Sequence, residues 1–272
     1  MNLKYFQFVF ALFLFFFINN IIAQSQKDDF KPYYITVTKL HGSGTIDMDA
    51  WKKVEQEFFD KITSKIDLIK GHEVLVNYDN NHFSEVIFIN RFESWNDIEK
   101  TKKLILERIE NVWPDKDLRA SFFENQNNLY DFNYSNAIYV STEMAKYISK
   151  EDINKQKTPL YYYIITSKLS SYSGDDSLEA YRDYVKGITY KNPYIKAYLT
   201  QKQYFGSDSR NFVEVYVANS YEELQESFKK DKELLDRMFS NEKNKEAFID
   251  TYFKGIDRQE NAIYTNIPSM SK

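Results

Sequence analysis

The sequence predicts an α+β protein: two β-α-β-β-α-(α)-β repeats whose antiparallel sheets close on each other into a barrel with the helices outside. Three observations predict it. Short motifs recur in order through the two halves, the hydrophobic period switches between strand and helix in the same order in each, and the central strands are apolar at consecutive positions. Asn136-Ala137-Ile138-Tyr139 returns as Asn261-Ala262-Ile263-Tyr264, and Thr38-Lys39-Leu40 corresponds to Ser167-Lys168-Leu169. Val86-Ile87-Phe88-Ile89 with Glu93-Ser94-Trp95 corresponds to Phe212-Val213-Glu214-Val215 with Asn219-Ser220-Tyr221. The offsets are 125, 129 and 126 residues, so order is kept and only loop lengths differ. Such a period makes two compact halves, because solenoid units are much shorter.

Residues 1–23 read as a cleaved signal peptide, with Lys4 ahead of an apolar run from Phe6 to Ile18 and Ile21-Ile22-Ala23 before Gln24. The run is too short for a comfortable membrane span and Asn19-Asn20 interrupts it. A bacterial periplasmic or secreted protein is therefore expected, with no membrane partner after cleavage. There is no cysteine, which excludes disulfides, thiolate metal sites and a cysteine nucleophile. The net charge of −4 becomes −5 once Lys4 is removed, and both signs are interspersed without a basic stripe, so no nucleic-acid partner is expected. Residues 24–32 form a lead, 33–141 the first repeat, 142–158 a linker rich in Lys and Glu, and 159–272 the second repeat.

Tyr33 to Leu40 alternates as a strand. Asp47 to Ile66 places Trp51, Val54, Phe58, Ile62 and Ile66 at helical spacing, with Thr45 or Asp47 as the cap. Glu73–Tyr78 and Phe83–Arg91 form a hairpin turning at Asp79-Asn80-Asn81-His82. Ser94 caps a helix through Ile109, Asp117 to Tyr130 forms another, and Ala137 to Ser141 is the closing strand. The second half repeats this with a strand at 160–169, a helix at 177–190 and a hairpin at 194–217 turning at Gly206-Ser207-Asp208. Helices at 221–239 and 242–256 and a strand at 262–266 complete it. Each unit is a ferredoxin-like split βαβ arrangement.

Strands that are apolar on both sides must be covered on both sides. The helices cover one face and the other repeat supplies the second, which also removes exposed edges. On these features the chain resembles the dimeric α+β barrel superfamily over residues 33–141 and 160–266, as a tandem fusion imitating a dimer. That group includes antibiotic-biosynthesis-type monooxygenases, haem-handling and haem-degrading proteins, small isomerases and stress-responsive barrel proteins. The resemblance rests on element order, duplication and buried strands, with no catalytic signature.

If Val213, Val215 and Val217 face the helices, Phe212, Glu214 and Tyr216 point into the barrel, with Val86, Phe88 and Asn90 their counterparts. The more polar face of the first strands, Tyr34, Thr36 and Thr38 with Tyr163, Ile165 and Ser167, is assigned to the same interior. The expected cavity is aromatic, with a few hydroxyls, one carboxylate and one amide, the usual form of a small-molecule site. Glu214 is the sharpest candidate, since a carboxylate in an apolar strand has a raised pKa and serves as a general base. The bland alternative pairs it with a Lys or Tyr at the barrel mouth. His41 ends the first strand in a Gly-Ser-Gly loop that approaches a cavity mouth.

His41, His72 and His82 lack the spacing of a metal clasp, so no metal and no cofactor is expected. His41 and His72 are the histidines available to a haem, against the default of a surface or turn residue. Haem-degrading members of the resembled group use a helical histidine near Asn and Trp, and here no histidine falls on a predicted helix. Trp51 and Trp95 read as core packing, and the Lys/Glu runs at 99–108 and 222–233 as solvated helix faces. No Ser-His-Asp set, phosphate loop or calcium loop is present. Three functions remain: a barrel binding a small, mostly apolar or aromatic ligand, a cofactor-independent monooxygenase or isomerase with Glu214 as base, or an interaction protein whose barrel is filled by its own side chains.

Overall fold

Each half runs strand, helix, two strands, two helices, strand. The first comprises β1 (Tyr34–Gly42), α1 (Met48–Lys61), β2 (Gly71–Asn77), β3 (Glu85–Phe92), α2 (Trp95–Val112), α3 (Lys116–Asn127) and β4 (Tyr130–Ser141). The second comprises β5 (Tyr161–Leu169), α4 (Asp175–Gly187), β6 (Ala197–Phe205), β7 (Asn211–Ala218), α5 (Tyr221–Met238), α6 (Glu242–Phe253) and β8 (Ile256–Asn266). This computed structural model describes residues 30–42, 47–78, 85–146, 158–170, 174–206 and 208–272. The expected signal segment, His82 and the Asp79–His82 turn lie outside the described residues.

Helix starts follow the capping residues. Asp47 accepts a hydrogen bond from the Asp49 amide (3.0 Å), Ser94 from Asp97 (3.2 Å) and Ser220 from Glu223 (3.1 Å). Each satisfies one of the amides that a helix N-terminus leaves unpaired. The closing strands begin earlier than the sequence predicts, at Tyr130 and Ile256, because pairing with β1 and β5 overrides weak local strand propensity. Tyr34 and Tyr161 open equivalent strands, so Thr38 matches Ile165 and the first-strand offset is 127 residues rather than 129. From α1 to α3 the offset is 126 residues, as from Trp95 to Tyr221.

The eight strands form a closed barrel in the order β1-β3-β2-β8-β5-β7-β6-β4. The two sheets join where β2 meets β8 and β4 meets β6, both antiparallel. Val213, Val215 and Val217 meet Leu75 and Ile87 of the other repeat in one buried cluster, with Val37, Ile89, Ile164 and Leu199 packed against it. That cluster is the barrel lumen, and it is filled. An eight-stranded barrel is just wide enough for such side chains to meet.

The expected orientation of the strands is therefore reversed. Tyr216 packs with Val185 and Tyr181 of α4, so Phe212, Glu214 and Tyr216 face the helices, not the lumen. By alternation the same holds for Tyr34, Thr36, Thr38, Phe88, Asn90, Tyr163, Ile165 and Ser167. The physical reason is fit. Val213, Val215 and Val217 fill the narrow space between sheets with Tyr162 and Tyr264, while Tyr198 and Tyr216 on the helix side find the Glu214 carboxylate. Trp51 is fully buried as core, whereas Trp95 sits at an exposed edge against Tyr34 and Tyr204.

Beyond each closing strand the chain crosses to the other repeat. After β4, Lys146 exchanges both backbone hydrogen bonds with Tyr198 of β6 (2.7 and 2.8 Å) and its Nζ donates to the Ile195 carbonyl (2.6 Å). After β8, Lys272 exchanges both with His72 of β2 (2.9 and 3.1 Å) and its Nζ donates to the Ile66 carbonyl (2.8 Å). Met144 and Met270 are carried by these tails beneath the opposite sheets. Within the expected linker, Met144 is buried and Lys146 pairs with β6. Met270→Ala is expected to lower unfolding stability by about 2–4 kcal/mol in urea denaturation. An unchanged midpoint would show that the tail does not seal the first repeat.

Candidate functional site

A cavity of about 350 Å³ lies on the helix side of the second sheet, under the start of α4 and the end of α6. Its position follows from four small residues. Ser167, Gly174, Ser177 and Gly255 all line it. The structurally equivalent residues of the first repeat are Leu40, Met48, Trp51 and Leu129, and all four pack together there around Val74 and Val86. The Trp51 indole is fully buried and donates through Nε1 to the Tyr130 hydroxyl (2.8 Å). The same backbone thus has a filled space in one half and an open one in the other. Met144, from the crossing tail of the first repeat, forms one wall, so both halves build the cavity.

Phe212 and Tyr181 meet edge to face over the cavity, with ring centres 5.6 Å apart, and Tyr252 stands 6.2 Å from Tyr181. At the base is Glu214, 2% exposed. The Tyr198 hydroxyl donates to its Oε1 at 2.5 Å and Tyr216 at 3.3 Å, while Tyr181 and Tyr198 share a hydrogen bond of 2.7 Å. Burial raises the Glu214 pKa above the ordinary carboxylate range, and hydrogen bonds from Tyr198, Tyr216 and Tyr181 work against that rise. Burial also raises the pKa values of Tyr181, Tyr198 and Tyr216, and the Glu214 charge adds to the effect, so these phenols remain donors.

The first repeat arranges polar groups differently at the same places. Phe88 stands at the Glu214 position, His72 at Tyr198, Asn90 at Tyr216 and Glu55 at Tyr181. Its carboxylate is on the helix: Glu55 Oε1 accepts from Tyr130 (2.7 Å) and Gln126 (3.1 Å). His72 Nδ1 lies 2.7 Å from Asn90 Oδ1 and the ring stacks on Phe59. Burial lowers the His72 pKa, which keeps it neutral. Every group there is packed by its own neighbours.

Of the residues singled out from sequence, Phe212, Glu214 and Ser167 line the cavity. Tyr216 stands behind Glu214, and Tyr163 packs on Tyr216 and Phe228. The others are not brought to this cavity and, Ile165 of β5 aside, belong to the first repeat. Tyr34 joins Trp95 and Tyr204, Thr36 pairs in register with Asn90, Asn90 holds His72, and Thr38 donates to Asn136 (2.7 Å). His41 is exposed on β1. Sequence reasoning missed Tyr181, Tyr198, Tyr252 and three of the four small residues, Gly174, Ser177 and Gly255. The duplication held the signal for the latter, as large-to-small changes at matched positions.

The haem handled by some members of the resembled superfamily does not fit these side chains. Among the described residues no histidine lines the cavity, and the Tyr181 hydroxyl is engaged by Tyr198. Among the described residues no group of three His, Asp or Glu is placed to hold a metal ion.

Because folding raises the Glu214 pKa, the folded protein holds that proton more tightly than the unfolded chain. The resulting stability is full below about pH 4.5 and is lost as pH rises through the folded-state value. Glu214→Gln cannot ionise, so it is expected to gain stability relative to the native protein from pH 4.5 toward neutrality. Urea midpoints measured across that range check this, and parallel curves for the two proteins would refute it.

In sequence comparison neither a protein-family model nor a curated protein matches the chain. Solved structures do match it in fold. A "Putative monooxygenase" of Fusobacterium nucleatum superposes with a TM-score of 0.59 at 8% identity, covering 88% of this chain and 94% of that one. One of the same description from Lactobacillus acidophilus gives 0.50 at 9% identity over 88% and 94%. A mutant chlorite dismutase from Candidatus Nitrospira defluvii gives 0.50 at 10% identity over 89% and 94%. Identities this low speak for architecture alone. With its closed eight-stranded barrel, the chain has the fold of the dimeric α+β barrel superfamily, with both halves of the pseudo-dimer on one polypeptide.

Proposed function

We propose that this is an exported protein that binds a small, mostly apolar or aromatic molecule in the cavity beneath the second sheet. One observation carries the reading: four positions filled by large side chains in the first repeat are Ser167, Gly174, Ser177 and Gly255 in the second, and all four face the same space. A largely apolar cavity with one buried carboxylate and few hydroxyls suits a small ligand held by shape and oriented by a single polar anchor. The filled lumen supports the interaction-protein reading only for the barrel itself, since the cavity lies outside it.

A second reading makes the same site catalytic, as a cofactor-independent monooxygenase or isomerase. It is favoured by Glu214, a carboxylate of raised pKa at the base of a sheltered cavity, which is the form a general base takes near neutral pH. The two bacterial proteins described as monooxygenases share the fold and lend it no more than that.

Ser177→Trp is expected to restore in the second repeat the plug that Trp51 provides in the first. Titration with the fluorescent neutral aromatic N-phenyl-1-naphthylamine should then lose at least about tenfold in affinity with the fold kept. Equal binding by both proteins would remove the cavity from consideration. Glu214→Gln separates the two readings, since binding without turnover of a converted substrate supports the base. Export is checked by intact mass: the protein recovered outside the cytoplasm should begin at Gln24, and an intact leader would overturn that part.

A further inference from the structure

We infer that the ligand of this cavity is an organic cation, an apolar or aromatic amine or ammonium whose charge lies against Glu214 and whose body lies among Tyr181, Phe212 and Tyr252. The inference rests on the proposal that the cavity holds a small, mostly apolar molecule, and it adds the sign of that molecule's charge.

Charge is the first ground. The ionisable carboxylates and guanidinium that line the cavity are Glu143, Asp175 and Glu214 against Arg182. Arg182 Nη2 lies 3.8 Å from Glu143 Oε1, so that pair offsets itself and two acidic groups remain. The N-terminus of α4 also borders the space, and its Gly174 cap contributes no side-chain acceptor. A bare helix N-terminus draws anions, but Asp176 in the first turn already opposes its partial positive charge. An anionic ligand would meet Glu214 with no cation beside it among the described residues, at a cost that a buried site does not recover.

The rings are the second ground. Tyr181 and Phe212 stand at 85° to each other, and Tyr252 closes a third side at 31° to Tyr181. Walls set at such angles present both ring faces and edges to one point, and the negative faces attract an ammonium or its methyl groups. The third ground is the state of Glu214 itself. Hydrogen bonds reach it from the neutral hydroxyls of Tyr198 and Tyr216. The ionisable groups facing it from the packed elements are Tyr181 and Tyr184 on α4, Tyr163 on β5, Tyr198 on β6, Tyr216 on β7 and Tyr252 on α6. All are phenols with pKa values raised by burial, so none supplies a positive charge and none titrates before Glu214. A bound cation would be the missing counter-charge, and its binding would favour the ionised carboxylate. Affinity should then rise with pH until Glu214 is fully ionised.

The test uses two probes of one shape, phenyltrimethylammonium and its uncharged carbon isostere tert-butylbenzene, on the mature protein by calorimetry or ligand-observed NMR. The cation is expected to bind at least about tenfold more tightly, with the preference abolished in Glu214→Gln and both probes excluded by Ser177→Trp. On the native protein, affinity for the cation should climb with pH while that for the isostere stays flat, which needs no variant to fold. If the isostere binds as well as the cation and Ser177→Trp still blocks it, the cavity reading stands and the cation is refuted. If Ser177→Trp changes neither affinity, or neither probe binds, the cavity reading falls and the cation with it.

Discussion

The closed lumen constrains the rest of this structure. Two four-stranded sheets facing each other around one barrel leave a narrow space, and Val213, Val215, Val217, Leu75 and Ile87 fill it together with the rings of Tyr162 and Tyr264. The phenols and carboxylates on that face need partners and find them: Tyr264 donates to Glu85 (2.7 Å), and Glu73 accepts from Ser271 (2.9 Å) and Asn266 (3.2 Å). The helix-side face of the second sheet takes the larger phenol cluster, where hydroxyls from neighbouring strands and a helix reach one another. The Glu214–Tyr198–Tyr181 chain exists on that side for this reason.

Duplication then supplies two copies of the space beneath a sheet, and the copies have diverged in opposite senses. In the first repeat Trp51, Leu40, Met48 and Leu129 close it, and the hydrogen bonds from Trp51 to Tyr130 and from Tyr130 to Glu55 tie strand and helix together. In the second repeat the loss of those four large side chains opens it, and the carboxylate moves from helix to strand. One half carries packing and the other carries space. Stability concentrated in a filled half leaves the other freer to hold a cavity whose lining is chosen for chemistry.

The crossing tails make the two halves mutually dependent. Lys146 and Lys272 each anchor to backbone carbonyls of the opposite repeat, and Met144 and Met270 occupy matching places beneath the opposite sheets. The cavity wall that Met144 contributes shows that the site is a property of the pair, as in a dimer whose subunits complete each other's sites.

Much of this was legible in the chain. Helix caps at Asp47, Ser94 and Ser220 and the order of strands and helices are local properties, carried by short-range hydrogen bonds and side-chain periodicity. The twofold repetition and the covering of one sheet by the other followed from strands such as Val86–Ile89 that are apolar on both sides. Those same strands concealed which face was which, because alternation separates two faces without saying which one another sheet will cover. Glu214 could be recognised as a misplaced carboxylate with Tyr216 two residues along its strand, but the hydroxyl network runs on through Tyr198 to Tyr181 of α4, and no sequence pattern shows which helix residue meets that strand. Sequence by itself determined the elements, their order and the pairing of the halves, since these depend on neighbours along the chain and on the amount of apolar surface to be covered. Only the tertiary structure decided the orientation of the strands and the place of the cavity, since these depend on which side chains fit a lumen of fixed width.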